Sequence, residues 1–319
     1  MKHLEVKNLC VTFPAGDHQV KAVDNISFEI PPKTVVGLVG ESGSGKSITA
    51  VSLLKLLPPQ AQVSGEILWQ GQNILKMSAS ELRTLRGGEI GLIFQNPLAA
   101  LNPVFTIGNQ LIETILQHRQ VTQKEARDIA IDLIKKVQIP DPALRLDQYP
   151  HEFSLGMCQR IMIALTLAMR PKLLIADEPT ASLDVTVQAQ ILELLHQLKE
   201  EFDMSVLLIS HDLGVIAQNC DEMLVMYLGK IIEKGKPSDL FQTPLHPYTQ
   251  ALIAAIPSPF RERAFEASVL KGDIPSPLNL PKGCRFHPRC PHAMDICHTQ
   301  EPVLQAHQGR EVSCFLYPR

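Results

Sequence analysis

The chain is 319 residues long, 45% hydrophobic and close to neutral, with 30 Lys+Arg against 33 Asp+Glu and a formal net charge of −3. The length suits one large domain with an appendage, or two domains, and the apolar fraction supplies a sizeable core. The charge balance excludes an electrostatic footprint for nucleic acid or anionic lipid. Ile161 to Met169, the longest apolar run, is far short of a bilayer span, and MKHLEVKNLCVTF at the start has no charged-then-apolar signal pattern. A cytoplasmic chain is expected, touching a membrane only through partners. Cysteines in that setting argue against disulfides.

In chain order, residues 2 to 12 and 26 to 30 alternate as half-buried strands, separated by the polar turn Ala15-Gly16-Asp17. Phe13 is a candidate for stacking on an adenine face, with a core aromatic as the equal alternative. Pro31-Pro32-Lys33 turns the chain into the apolar strand Thr34 to Val39. It feeds Gly40-Glu41-Ser42-Gly43-Ser44-Gly45-Lys46-Ser47, which fits G-x-x-x-x-G-K-[ST], and Ile48 to Leu57 reads as the following helix. Glycines let such a loop curl its N–H groups inward as an anion nest, and the helix dipole reinforces it. Lys46 can reach β- and γ-phosphates, and the Ser47 hydroxyl can ligate Mg²⁺. This is a nucleotide site.

Gly65 to Trp69 and Ile90 to Phe94 read as further strands, with a polar helix at Ser80 to Arg86 between them. Gln95 stands where the second of these ends. Thr106 to Gln138 is helical, with a capping box at Thr122/Glu125 and apolar residues at helical spacing behind it. Ser154 can cap a helix whose later turns are apolar almost all round. Leu173 to Ala176 is a buried strand tipped by Asp177-Glu178: one carboxylate suited to Mg²⁺, the next to orienting or deprotonating a water. Ile191, Leu194, Leu195 and Leu198 stripe the next helix. Met204 to Ile209 is a buried strand before Ser210-His211-Asp212, and a hairpin closes around Gly229. Strands alternating with helices around a nucleotide loop give an α/β fold with a mostly parallel sheet, an antiparallel β part at the N-terminus and a helical insertion.

These motifs, in this order over residues 1 to about 240, resemble the ATP-binding subunits of ABC transporters. The resemblance implies that Gly40 to Ser47 is Walker A and that Gln95 is the Q-loop glutamine, reaching Mg²⁺ and the lytic water. Ser154, Leu155, Gly156 and Met157 become the signature, which faces a partner's ATP. Asp177 closes Walker B, Glu178 is the catalytic carboxylate, Asp184 belongs to the D-loop and His211 contacts the γ-phosphate. Two such subunits sandwich two ATP molecules. The signature departs from the family's Ser-Gly-Gly. Leu155 stands where a glycine permits positive φ and close approach to a phosphate, so a weakened site on the partner's ATP is expected beside an intact one here.

His246-Pro247-Tyr248-Thr249-Gln250, then Gly283-Cys284 and His287-Pro288-Arg289-Cys290-Pro291, resemble the C-terminal extension of oligopeptide and dipeptide importer ATPases, nearest the dipeptide-type D subunits. The resemblance implies residues 1–240 as the nucleotide-binding domain, with a helical subdomain at about 98–168, and 241–319 as a small Cys-rich extension. It also implies ATP-driven import of di- or oligopeptides and a peripheral position on the cytoplasmic face of the cell membrane. The implied partners are a second, related ATPase as heterodimer, two permeases and an extracytoplasmic peptide-binding protein. Cys284, Cys290, Cys297 and Cys314 are spaced C-x5-C-x6-C-x16-C, unlike the paired C-x2-C of a common zinc site. Four thiolates suit a [4Fe–4S] cluster, as the resemblance also suggests; zinc or unliganded packing thiols are the alternatives. His287, His292 and His298 read as polar fillers among them, and Cys10, Cys158 and Cys220 as scattered core or surface thiols. Nickel, glutathione or another small solute is the nearer rival for the cargo. A soluble, non-transport ABC ATPase acting on nucleic acid is the rival of another class.

Overall fold

The computed structural model describes residues 3–16, 18–256 and 272–317, so Asp17 of the expected turn and part of the expected extension lie outside the described residues. The chain divides into two compact units, Met1–Lys76 with Leu208–Arg319, and Met77–Leu207. The boundary falls within one strand.

The first unit opens with β1 (Leu4–Ala15) and β2 (His18–Ile30), an antiparallel hairpin longer than the alternation predicts. Leu4, Val6, Leu9 and Val11 on one strand and Val23, Ile26, Phe28 and Ile30 on the other are buried. β3 (Val35–Val39) leads through the glycine-rich loop into α1 (Lys46–Leu53). α1 begins on the loop's own lysine, two residues earlier than expected, because Gly45 takes the left-handed N-cap position at φ 107°. β4 (Gln62–Trp69) and β5 (Gln72–Asn73) complete an antiparallel sheet in the order β2-β1-β4-β5.

The second unit starts with α2 (Ala79–Leu85), β6 (Ile90–Ile93) and α3 (Pro97–Ala100). Then come α4 (Ile107–His118), α5 (Gln123–Lys136), α6 (Pro142–Arg145) and α7 (Leu155–Leu167), followed by β7 (Leu173–Asp177) and α8 (Val185–Glu201). β6 and β7 pair in parallel, Ile90 opposite Leu173 and Ile93 opposite Ala176. The Thr122/Glu125 capping box forms as the sequence predicts: Thr122 Oγ1 accepts from the Glu125 N–H at 3.3 Å, and the Glu125 carboxylate accepts from the Thr122 N–H at 2.7 Å. Burial of Ala126, Ala130, Leu133 and Ile134 gives α5 its inner stripe, and Ile191, Leu194, Leu195 and Leu198 do the same for α8. Buried Arg160 on α7 donates to the Val137 carbonyl (3.0 Å) and to the side chains of Gln138 and Gln190. It ties α7 to the end of α5 and to α8 without an acid.

β8 (Ser205–Ser210) is the strand through which the boundary runs. The first unit resumes with α9 (Leu213–Asn219), β9 (Glu222–Tyr227) and β10 (Lys230–Gly235). The hairpin between these strands turns on Leu228 and Gly229, both at positive φ, the backbone pairing that matches strand twist. α10 (Pro237–Gln242), α11 (Pro247–Ala254), α12 (Asp295–Thr299), β11 (Gln305–His307) and β12 (Arg310–Val312) follow. β9 lies parallel to β3, but β10, β12 and β11 extend that sheet antiparallel. The first unit's sheet is therefore mixed rather than mostly parallel. The described part of the tail is no separate Cys-rich appendage either. Glu233 of β10 pairs with Val312 of β12, which builds the tail into the first unit's sheet.

Candidate functional site

In the first unit the phosphate loop is formed and tightly enclosed. A Cβ on Gly40 would stand 2.2 Å from the Met226 carbonyl, and one on Gly45 would stand 2.5 Å from the Ala22 carbonyl, so the two fixed glycines of the motif are sterically required. Lys46 is buried, and its ammonium donates to the loop's own carbonyls at Gly40 (2.9 Å) and Glu41 (3.1 Å). The Ser44 hydroxyl is buried at 3% exposure with no hydrogen-bond partner. An orphaned buried hydroxyl in a glycine-rich loop at the N-terminus of α1 fits a phosphate chain. Ser42, Gly43 and Ser47 are exposed along the same loop, and Glu41 and Gly45 are half-buried. Phe13 is half-buried on β1 opposite Val20, in the hairpin of the same unit. His211 is exposed, one residue before Asp212, which caps α9 by accepting from the Gly214 and Val215 N–H groups.

The loop is also held from outside. The Glu41 N–H donates to the Tyr248 phenol oxygen at 2.9 Å, and the Ser44 carbonyl accepts from the Gly229 N–H at 2.8 Å. Arg289 forks onto the Glu41 carboxylate at 2.8 and 3.1 Å, a charge-assisted pair in which the guanidinium is 5% exposed. Behind these groups Tyr227, Tyr248 and Phe286 form a ring cluster with centroids 4.7 to 5.5 Å apart. His246 caps α11 by accepting the Tyr248 N–H at its Nδ1, and full burial pushes its pKa down to about 3. Its own N–H and that of Leu245 donate to the fully buried Glu233 carboxylate. The sequence reading missed Arg289 and Tyr248 as loop partners. The only available signal was that both lie in tail motifs already singled out.

In the second unit Asp177 closes β7 and is buried. Glu178 follows at φ 46°, a left-handed conformation costing roughly 1–3 kcal/mol that surrounding structure must enforce. It turns the second carboxylate off the strand line. The Gln95 amide, just past β6, donates to Glu178 Oε2 at 3.2 Å, so the structure brings the expected Q-loop glutamine and the candidate catalytic carboxylate together. Ser154 caps α7, accepting from the Met157 N–H at 3.3 Å. Leu155 is the first residue of α7 and is absent from the positive-φ residues. The strain expected of a branched side chain there does not arise, because a helical N1 position suits leucine. Gly156 faces Val187, with its position for a Cβ 2.9 Å from Cγ1. Asp184 caps α8, accepting from Thr186 and Val187. Ser47, Gln95 and Asp177, the expected Mg²⁺ ligands, carry hydroxyl, amide and carboxylate oxygens, the ligand chemistry that ion requires.

The expected [4Fe–4S] cluster finds no ready donor set: among the described residues no group of three or more His, Cys, Asp or Glu stands ready to hold a metal ion. Cys284, Cys290, Cys297 and Cys314 nevertheless all line one small cavity, together with His246, His287 and His292. Burial raises the thiols of Cys284 and Cys314 to about 11 and also pushes that of Cys290 up. The His287 and His298 rings lie 4.4 Å apart, tilted by 58°. Elsewhere Cys158 is buried in α7, donating toward the Pro150 carbonyl, and Cys10 accepts from the Asn25 N–H. Among the described residues no helix is long and apolar enough to cross a membrane.

Compared with known proteins, residues 23–181 match the ABC transporter family, and residues 232–297 match the oligopeptide/dipeptide transporter C-terminal region. The chain is 47% identical to the oligopeptide transport ATP-binding protein OppD of Salmonella typhimurium, over 98% of this chain and 93% of that protein. It is 45% identical to the oligopeptide transport ATP-binding protein AppD of Bacillus subtilis, over 98% and 96% of the two chains. The dipeptide transport ATP-binding protein DppD of Haemophilus influenzae is 44% identical, over 98% and 95%. Among solved structures, a dimeric ATP-binding cassette in a post-hydrolysis state with ADP and Pi superposes with a TM-score of 0.66 at 26% identity. That match covers 73% of this chain and 98% of the cassette. The chain thus belongs to the ABC transporter ATPases, in the branch of oligopeptide and dipeptide transport ATP-binding proteins.

Proposed function

We propose that this protein is the ATP-hydrolysing subunit of a membrane importer of di- or oligopeptides. The observation that carries the reading is the likeness to peptide-transport ATP-binding proteins along 98% of the chain, including the tail motif at 232–297. Residues 1–240 would do the nucleotide work and 241–319 would form the branch-specific extension. Glycine-loop N–H groups, Ser44 and Lys46 bind the triphosphate. Glu178, steadied by Gln95, orients and deprotonates the attacking water, and His211 holds the γ-phosphate. Ser47, Asp177 and Gln95 would hold Mg²⁺, which would supply neutralisation of the phosphate charge. Phe13 stacks on the base.

The signature at Ser154 to Met157 and the D-loop Asp184 serve a second, related ATPase, whose ATP this chain helps enclose. Leu155 makes that shared site the weaker one through side-chain bulk rather than backbone strain. Two permeases are the proposed membrane partners. Support comes from exposed Phe94, Leu98, Val104 and Phe105, which present large apolar side chains directly after β6. A peptide-binding protein outside the membrane delivers the cargo, and this chain sits peripherally on the cytoplasmic face.

A cluster held by Cys284, Cys290, Cys297 and Cys314 is the finer part of the proposal, supported by their lining one cavity. Anaerobically purified protein is then expected to carry iron and acid-labile sulfide that a quadruple Cys→Ser variant lacks. Zinc alone, or no metal, contradicts it.

The function is tested by reconstituting the complete transporter in vesicles and following peptide uptake. ATP-dependent uptake abolished by Glu178→Gln is expected. Uptake of nickel or glutathione in place of peptide would move the protein to another cargo.

A further inference from the structure

Glu41 puts a carboxylate into a loop whose purpose is to gather anions. Left alone, it would repel the phosphates that the backbone N–H groups attract, and its flexible side chain would leave the first turn of the loop poorly fixed. Neither condition holds in the structure. Arg289 meets both carboxylate oxygens at 2.8 and 3.1 Å from a position 5% exposed, where solvent screens the pair little. The carboxylate in turn holds the guanidinium above its ordinary range. Tyr248, itself fully buried, takes the Glu41 N–H at 2.9 Å. Both tail groups are fixed from behind. The Arg289 guanidinium lies 5.9 Å over the Tyr227 ring, and Phe286 packs edge against face on Tyr227 and Tyr248, which are themselves tilted together.

We propose that Arg289 and Tyr248 are positioning residues for the nucleotide site, Arg289 by neutralising and anchoring the Glu41 carboxylate and Tyr248 by fixing the Glu41 backbone. Neither need touch ATP. The proposal rests on the reading of Gly40 to Ser47 as the nucleotide site and adds to it a requirement for the tail. The tail is then part of the catalytic unit's affinity for ATP, and its aromatic cluster is the mount.

The test measures binding of a fluorescent, non-hydrolysable ATP analogue to the full chain, with a thermal melt on each variant. Arg289→Ala is expected to weaken binding about tenfold, the size of one lost charge-assisted contact. Glu41→Gln in the same chain is expected to recover most of that loss, because it removes the stranded charge. A structural defect would not be repaired by a second substitution. Should Arg289→Ala fail to fold, Arg289→Gln fills the space without the charge; weakened binding restored by Glu41→Gln is again expected. Unchanged affinity in the arginine variants, or a double variant as weak as the single one, overturns the proposal. Lys46→Ala separates the two levels. Undiminished binding there overturns the nucleotide-site reading itself, whereas loss there beside an unaffected Arg289→Ala overturns only the positioning role.

Discussion

Gln95 and Glu178, 83 residues apart in sequence, are joined by a 3.2 Å hydrogen bond from the glutamine amide to Oε2 of the carboxylate. The carboxylate is placed by a left-handed turn at φ 46° just after a fully buried strand, and the amide follows the neighbouring parallel strand. One strand end therefore carries the proposed base and the next its proposed orienting partner. Glu178→Gln is expected to keep ATP binding and to lower the hydrolysis rate of the assembled complex by about 10²–10⁴-fold, the usual contribution of a positioned general base. Rate and nucleotide affinity measured on the same preparation check this. Gln95→Ala is expected to lower the rate less, since the carboxylate remains.

Gly45→Ala tests whether the loop's geometry is compulsory. At φ 107°, with the added Cβ 2.5 Å from the Ala22 carbonyl, the alanine meets backbone on one side and a disfavoured conformation on the other. A stability loss of roughly 1–3 kcal/mol is expected, with nucleotide binding largely abolished, as read by denaturant unfolding and analogue binding.

His246 gives the fold a pH dependence of definite sign. Its folded-state pKa is pushed down to about 3 by burial, well below the ordinary histidine value near 6.5. Between those values the unfolded chain binds the extra proton, so this histidine's contribution to stability is complete above about pH 6.5 and is lost as pH falls toward about 3. His246→Asn can keep a side-chain acceptor for the Tyr248 N–H but does not titrate. Its unfolding free energy is expected to fall less steeply than that of the unmodified chain between pH 7 and about pH 5.

Much of this was legible in the sequence because the informative residues are local. The G-x-x-x-x-G-K-S run, Asp177-Glu178 behind four apolar residues, and the Thr122/Glu125 box each fix their structure within a few positions, and each formed. What was not legible is long-range. Arg289 and Tyr248 stand 248 and 207 residues from Glu41, and no local period links a tail motif to a loop that far upstream. Pairing of β12 with β10 is of the same kind, and it turned an expected appendage into part of a mixed sheet. Leu155 illustrates the reverse error. A family pattern suggested glycine-like strain, but the Ser154 cap places the next residue in ordinary helical backbone.

With strain removed, side-chain bulk is what remains to distinguish Leu155 at the proposed shared site. Leu155→Gly is expected to raise the ATPase rate of the assembled complex, with little effect on this chain's own nucleotide affinity. An unchanged rate would mean that the interface accommodates leucine and that the paired sites do not differ for this reason.

The most direct measurement is purification of this chain, in mild detergent, from the membranes in which it is made, with identification of what accompanies it. Recovery of a second, homologous ATPase together with two multi-span permeases is the predicted result. Recovery of the chain alone, or with ribosomal or repair proteins, would contradict the transport assignment and leave only an ATPase.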